Sequence, residues 1–262
     1  MWPAPAPPLA DTHSVVLKRL FRPTRASFRL DGGRVYAIGD VHGRADCLDR
    51  LLARIGDDHR GRGGAAPHIV LLGDLVDRGP DSRGVVESAM RLARDAGPTT
   101  VIAGNHEELL LGSLRGDREA LATFDRAGGR ETLLSYGVDP SDYDECALAD
   151  LPGLIKRAVP ADHLAFMAGM EDRLVRGDYV FVHAGVRPGV PLDEQDPKDL
   201  RWIREPFLSH RGSYGAMVVH GHTVTDRPDV RANRIGIDTG AYATGVLTAL
   251  GLEGEDRWFL TG

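Results

Sequence analysis

Two carboxylates and a guanidinium stand together between glycines in residues 73–79, where Asp77 follows Asp74 by three positions and Arg78 comes next. The preceding residues 68–72 form a mostly apolar run, which is typical of a buried strand that ends in a loop. Loops of this kind hold ligands in open α/β sheets. Burying a carboxylate without a partner costs free energy, so Asp74 indicates a site for a cation. A position between two metal ions would give this carboxylate two cationic partners.

Other polar side chains follow further predicted strands. The predicted strands 34–38, 99–103, 179–182 and 217–219 lead to Asp40 and His42, Asn105 and His106, His183, and His222. With the aspartates at positions 74 and 77, these side chains can converge on one rim of a sheet. Carboxylate, amide and imidazole donors without cysteine suit two divalent ions such as Mn, Fe or Zn.

The elements around these loops predict an α/β fold. The helix between strands 68–72 and 99–103 predicts a parallel pair with a right-handed crossover. Apolar residues at helical spacing predict one helix after residue 43 and another that Asp81 or Ser82 can cap. Residues 234–241, 245–250 and 257–260 are predicted as closing strands.

Residues 108–177 differ in their sequence pattern from the rest of the chain. Helical patches alternate with Gly- and Pro-rich turns and no clear strand is visible, so we expect an inserted, mostly helical cap that helps to choose the substrate. Its aromatic residues could stack on a nucleobase, although a place in the core of the cap is favoured; they are Phe124, Tyr136, Tyr143 and Phe166.

Composition narrows the classes of function. The chain has 262 residues, 42% hydrophobic residues and a net charge of −6, which fits a globular protein without broad nucleic-acid binding. Two cysteines exclude a disulfide framework. We expect no signal peptide, no membrane association and a cytoplasmic location. Residues 1–30 are predicted to be an N-terminal arm, partly flexible, and residues 31–262 the main domain. Within the arm, a basic cluster is more simply a solvated segment than a docking site; it comprises Lys18, Arg19, Arg22 and Arg25.

A family resemblance rests on five motifs. The segments GDVHG (39–43), GDLVDRG (73–79), GNHE (104–107), HAG (183–185) and GHT (221–223) occur in this order. They resemble the motif series of calcineurin-like metallophosphoesterases, most closely the bacterial branch of phosphoprotein phosphatases. The resemblance implies a β-sandwich of two mixed sheets flanked by helices, with a dinuclear metal site at the strand ends.

The resemblance also implies roles for individual residues. Six would be metal ligands: Asp40 and His42 at the first ion, Asp74 between both ions, and Asn105, His183 and His222 at the second. His106 would be the general acid, oriented by Asp77. Arg78 would bind phosphate, with Arg204 of a Trp-x-Arg-Glu segment as a second phosphate ligand and Arg201 as its rival. Asp238 is favoured as a sheet-end hydrogen-bonding residue, and His220 stays open between a partner of the metal ligands and a packing residue.

These observations predict a metal-dependent phosphomonoester hydrolase in which water attacks directly. The favoured substrate is a protein phosphorylated on serine or threonine, or on tyrosine, and manganese is the favoured metal. The alternative is a dinucleoside polyphosphate hydrolase acting on diadenosine tetraphosphate. A non-catalytic phosphate-binding scaffold is disfavoured because all five motifs are intact.

Overall fold

The structure is a computed structural model that describes residues 28–64, 66–95 and 97–262. The basic cluster at residues 18–25 and most of the predicted arm lie outside these residues. No helix in the described part of the chain is long and apolar enough to cross a bilayer.

Within these described ranges, ten strands and ten α-helices follow one another. The strands are β1 (Arg34–Ile38), β2 (His68–Leu71), β3 (Thr99–Val101), β4 (Arg173–Arg176), β5 (Tyr179–Val182), β6 (Met217–His220), β7 (Asp229–Val230), β8 (Arg234–Gly236), β9 (Thr248–Glu253) and β10 (Asp256–Thr261). The helices are α1 (Ala45–Arg62), α2 (Ser82–Asp95), α3 (Asn105–Leu114), α4 (Arg118–Phe124), α5 (Arg130–Ser135), α6 (Pro140–Asp144), α7 (Leu151–Ala158), α8 (Ala161–Ala168), α9 (Pro197–Trp202) and α10 (Ala241–Thr244), with a π-helical turn at Asp125–Gly129.

The strands form two mixed five-stranded sheets. The first has the order β10-β9-β1-β2-β3 and the second the order β4-β5-β6-β8-β7. Strands β1, β2 and β3 are mutually parallel, as the helical connections predict, and β5, β6 and β8 are also parallel. Since parallel strands end at the same edge, each sheet directs its ligand-bearing loops to one rim.

The side chains of β1 point alternately to the second sheet and to the helices, which explains why the first sheet lies between these two layers. Val35 and Ala37 of β1 face the second sheet and share a core with Tyr179 and Phe181 of β5. The intervening Tyr36 and Ile38 face the other way and pack against helices α1 and α2. Successive side chains of a strand point to opposite faces. Covered on both faces, the central strands read as nearly continuous apolar runs. The α/β sandwich with flanking helices that the motifs predict is therefore confirmed.

Some expected boundaries shift in the structure. Strand β4 lies inside the range 108–177, where the sequence suggested no clear strand; it has only four residues, with an arginine at each end, and so shows no alternating pattern. The expected strand 234–241 ends at Gly236, because the chain then turns into the single-turn helix α10 between left-handed Gly240 and Gly245. Helix α2 starts at Ser82, and the Asp81 carboxylate accepts a hydrogen bond from the N–H of Gly84 at 2.8 Å.

Helices α3 to α8 pack around a core of their own. Phe124, Tyr136 and Tyr143 are buried within this core, and Phe166 is partly buried against it. Phe124, Tyr136 and Tyr143 therefore form the interior of the layer made by helices α3 to α8, the helical layer, and do not present a stacking surface to a nucleobase.

Candidate metal centre

Backbone strain is concentrated at the rim where the strand ends meet. In the part of the chain that the structure describes, five non-glycine residues have left-handed φ angles: His42 (44°), Asp74 (48°), Asp77 (72°), Arg78 (69°) and His222 (62°). This conformation is uncommon for residues with a side chain, and it clusters at functional sites. All five belong to the loops that the sequence singled out, so the fold holds these loops in specific, unfavourable conformations.

Asp74 lies at the centre of the cluster. Its Oδ2 is 3.4 Å from Nε2 of His42 and 3.4 Å from Nε2 of His183. Two groups of potential metal ligands share this carboxylate, one with His42 and His106 and the other with His183 and His222. A single carboxylate between two imidazole groups is the arrangement expected for a bridge between two ions.

Hydrogen bonds to backbone carbonyls fix the tautomers of two histidines. Nδ1 of His42 lies 2.9 Å from the carbonyl oxygen of Val76, and Nδ1 of His183 lies 2.8 Å from that of Leu72. A carbonyl oxygen only accepts, so each Nδ1 donates and each Nε2 carries a lone pair. These lone pairs face Asp74, and outer hydrogen bonds of this type orient metal-binding histidines.

Asn105 and His222 complete the second group. Nε2 of His183 lies 2.9 Å from Oδ1 of Asn105 and 3.1 Å from Nδ1 of His222. The backbone N–H of His222 donates to Oδ2 of Asp40 at 2.9 Å, which ties the loop after β6 to the loop after β1. Three side chains from three different loops thus direct nitrogen and oxygen atoms at one point.

The donor set fits divalent cations. Oδ1 of Asp40, Nε2 of His42 and Nε2 of His222 are buried without a hydrogen-bond partner among the described residues. Burial, followed by the charges of Asp238 and Asp74, raises the pKa of Asp40 well above its usual range. Buried polar atoms are almost always satisfied, and a bound cation would satisfy these atoms and offset the repulsion between the carboxylates.

His106 is in a different situation from the other histidines. Its Nδ1 lies 2.6 Å from Oδ2 of Asp77, and its Nε2 lies 3.0 Å from Nη2 of Arg78. Both ring nitrogens thus have protein partners, although Nε2 also lies 3.9 Å from Oδ2 of Asp74. A guanidinium only donates, so Nε2 accepts in this geometry and Nδ1 carries the proton. Burial lowers the pKa of His106, but the carboxylates of Asp74 and Asp77 outweigh it and the net pKa is raised.

The three candidate phosphate arginines differ in their contacts. Arg78 is exposed, and its guanidinium lies 4.7 Å from the ring centre of Tyr242. Arg204 is also exposed, with Nη2 3.4 Å from the carbonyl oxygen of His222. Arg201 is bound to the carboxylates of Glu108 and Asp172. The structure therefore leaves Arg78 and Arg204 at the rim of the cluster and commits Arg201 to ion pairs.

Glu107 is a structural residue of the site that the motif analysis did not single out. Its buried carboxylate accepts hydrogen bonds from the backbone N–H groups of Asp74, Leu75, Val76 and Gly104 at 2.7–3.3 Å. Burial and the charge of Asp74 raise its pKa to about 7, against the lowering effect of the N–H groups. One side chain thus holds the loop after β2 against the start of α3. The signal in the sequence was its place directly after His106.

The structure also shows the contacts of His220, which the sequence left open, and of Asp238. His220 is buried, with its ring against Phe207 and Nε2 3.3 Å from Nη1 of Arg234, and these are the contacts of a packing residue. Asp238 accepts a hydrogen bond from the N–H of Gly240 at 2.9 Å, as a sheet-end residue would. It also lies close enough to Asp40 to raise the pKa of that carboxyl.

A two-sheet α/β sandwich with aspartates and histidines gathered at its strand ends is the fold of the metallophosphoesterases, a class of hydrolases. The sequence profile of the calcineurin-like phosphoesterases matches residues 33–239. The chain belongs to the calcineurin-like phosphoesterase family.

Individual relatives are named for two kinds of activity. A symmetrical bis(5'-nucleosyl)-tetraphosphatase of Acidovorax sp. (strain JS42) is 31% identical over 70% of this chain, which spans about half (51%) of that relative. Serine/threonine-protein phosphatase 1 of Salmonella typhimurium (strain LT2) is 29% identical over 82% of this chain and 89% of its own. A crystal structure of a proposed diadenosine tetraphosphatase superposes with a TM-score of 0.61 at 24% identity, over 88% of this chain and 94% of the other, which shows a common fold.

Proposed function

We propose that this chain is a dinuclear metal-dependent phosphoprotein phosphatase that hydrolyses phosphate monoesters of serine or threonine side chains. The observation that carries the proposal is the position of Oδ2 of Asp74, 3.4 Å from Nε2 of both His42 and His183. The proposed ligands are Asp40 and His42 for one ion, Asp74 for both, and Asn105, His183 and His222 for the other. Manganese is the proposed metal.

When bound, two such ions supply a hydroxide nucleophile at neutral pH and offset negative charge on the phosphoryl oxygens. The chain's own residues then bind and orient the substrate. Arg78 and Arg204 are exposed at the rim, and their planar guanidinium groups match phosphate oxygens through paired donors. Arg201 is withdrawn from this role because Glu108 and Asp172 occupy its guanidinium.

His106 is proposed to protonate the leaving oxygen. Asp77 holds its Nδ1 at 2.6 Å, so that Nε2 is the ring nitrogen left for proton transfer. Arg78 contacts Nε2 at 3.0 Å; engagement of Arg78 with the substrate phosphate would release Nε2 to take up and deliver a proton. A serine alkoxide is a poor leaving group, and general acid catalysis is typically worth about 10²–10⁴-fold.

Two observations favour a protein substrate. Three of the four aromatic residues that could have stacked on a nucleobase, Phe124, Tyr136 and Tyr143, are buried inside the helical layer. An open groove of about 730 Å³ lies beside Arg204 and includes Trp202 and Ile203 in its walls, which suits an extended peptide. The Salmonella phosphatase, matched over 89% of its length, is consistent with this substrate class.

A second candidate is hydrolysis of dinucleoside polyphosphates. It is supported by the Acidovorax relative and by Tyr242, an aromatic side chain that is 38% exposed next to Arg78. Assays of phosphoserine, phosphothreonine and phosphotyrosine peptides beside diadenosine tetraphosphate, all with Mn²⁺, separate the two. We expect higher kcat/KM for a phosphoserine or phosphothreonine peptide, and the opposite order would replace the leading proposal with the second.

The same assay tests for a non-catalytic protein. Chelation should abolish hydrolysis, and added Mn²⁺ should restore it. Negligible hydrolysis of every substrate in both states would contradict the enzymatic function itself.

A further inference from the structure

Helix α5 of the helical layer places a buried hydroxyl against the carboxylate that holds His106. Oγ1 of Thr132 lies 2.6 Å from Oδ1 of Asp77 and 2.8 Å from the backbone nitrogen of the same residue. A carboxylate only accepts, so the hydroxyl donates to Oδ1 and accepts from the backbone N–H. One side chain therefore holds both the carboxylate and the backbone of Asp77.

Ser82 completes this buried network. Its Oγ lies 3.0 Å from Oγ1 of Thr132 and 3.0 Å from the backbone nitrogen of Asp77. Because the proton of the threonine hydroxyl is directed at Asp77, Ser82 donates to Thr132. Thr132 and Ser82 are both fully buried. A fully satisfied buried network holds its members in one arrangement.

The backbone of the same segment supports Arg78. The carbonyl oxygen of Gly128 accepts a hydrogen bond from the N–H of Arg78 at 3.3 Å. Gly128 has a φ of 109°, and a Cβ there would lie 2.5 Å from the backbone nitrogen of Arg78. Asp77 and Arg78 are both left-handed, so the helical layer holds the strained pair through Gly128 and Thr132.

We infer that Thr132 is a positioning residue for the proton donor. Its hydroxyl fixes Oδ1 of Asp77, which directs Oδ2 at Nδ1 of His106 and so sets the direction of Nε2. Thr132 contacts neither His106 nor the rim where substrate would bind, so it acts through Asp77. This inference rests on the proposed function of His106 as a general acid.

The test is Thr132→Val, which keeps the branched shape and removes the hydroxyl. With Mn²⁺, kcat for a phosphoserine peptide should fall about 10- to 100-fold, a part of the roughly 10²–10⁴-fold that general acid catalysis contributes. The rate with p-nitrophenyl phosphate should fall less than about 3-fold, since that leaving group needs little protonation. Thr132→Ser should restore the peptide rate to within about 3-fold of wild type.

Controls separate positioning from folding. Bound Mn should stay at the wild-type level in Thr132→Val, and Thr123→Val, the same change at a different helical position, should leave both rates unchanged. On a His106→Asn background the Thr132→Val effect should vanish, because groups that act as a unit are not additive. If Thr132→Val does not fold, Ser82→Ala removes the donor to Thr132 and should give a smaller loss with the same dependence on leaving group.

The outcomes distinguish this inference from the proposed function. A wild-type protein inactive on every phosphate ester would overturn the proposed function. An active wild type in which Thr132→Val slows both substrates equally, or neither, would overturn the positioning role alone.

Discussion

Replacing His106 with asparagine isolates the atom that is proposed to deliver the proton. The amide nitrogen of asparagine can occupy the place of Nδ1, which now lies 2.6 Å from Oδ2 of Asp77. No atom of asparagine reaches the place of Nε2. The variant should therefore keep the hydrogen bond to Asp77 and lose only the donor.

The size of the effect follows from the leaving group. General acid catalysis is worth about 10²–10⁴-fold, which corresponds to about 2.7–5.5 kcal/mol in the activation free energy. The full loss applies to an alkyl phosphate such as a phosphoserine peptide, because its alkoxide requires a proton. With p-nitrophenyl phosphate we expect a loss of less than about 10-fold.

Steady-state rates on both substrates and the metal content of the purified variant test this prediction. His106 should not affect metal content, because Asp77 and Arg78 occupy both of its ring nitrogens. A near wild-type rate on the alkyl phosphate would refute the acid role. Equal losses on both substrates together with lost metal would instead make His106 a ligand, which its 3.9 Å distance from Asp74 would then explain.

Three further predictions concern residues at or behind the rim. Arg204→Met should lower kcat/KM about 10- to 100-fold, since charge-assisted hydrogen bonds contribute about 1.5–3 kcal/mol. The matched variant Arg201→Met should keep kcat/KM within about 3-fold of wild type, and similar losses in both variants would contradict the assignment of Arg204. Tyr242→Leu should lower kcat/KM about 2- to 5-fold, because it removes an aromatic contact with Arg78 that is worth about 0.5–1 kcal/mol. Tyr242→Phe keeps the ring and should retain the wild-type kcat/KM. An unchanged kcat/KM in the leucine variant would show that the contact does not position Arg78. Burial lowers the pKa of His220 from 6.5 to about 4, so the unfolded state binds the proton more readily and stability falls as the pH drops below 6.5. At pH 5 the loss in the free energy of unfolding is about 2 kcal/mol. Urea unfolding at pH 7 and pH 5 should therefore show a loss that is smaller by about this amount in His220→Gln than in wild type. An equal loss in both proteins would mean that the ring is not buried in its neutral form.

Much of the rim could be predicted because its residues directly follow apolar runs. Asp40, Asp74 and His183 each come one to three positions after a buried strand, and parallel strands end at a common edge. Their convergence thus follows from local sequence and one rule of sheet geometry. Their roles as ligands stay a proposal.

The supporting residues could not be predicted in the same way. Thr132 meets Asp77 across 55 positions of the chain, and Glu107 meets the loop after β2 across 31–33 positions. Neither contact leaves a periodic pattern, since each arises only when the helical layer packs on the sheet. The edge strand β4 was missed for a related reason: its pairing with β5, and not its own composition, makes it a strand.

The central claim is that two cations share the carboxylate of Asp74. Crystals grown with Mn²⁺ and measured at the manganese absorption edge would locate each ion by its anomalous scattering. The account predicts two peaks about 3.5–4 Å apart, one beside Asp40 and His42 and the other beside His183 and His222, with Asp74 between them. A single peak, or two peaks that do not both contact Asp74, would contradict it.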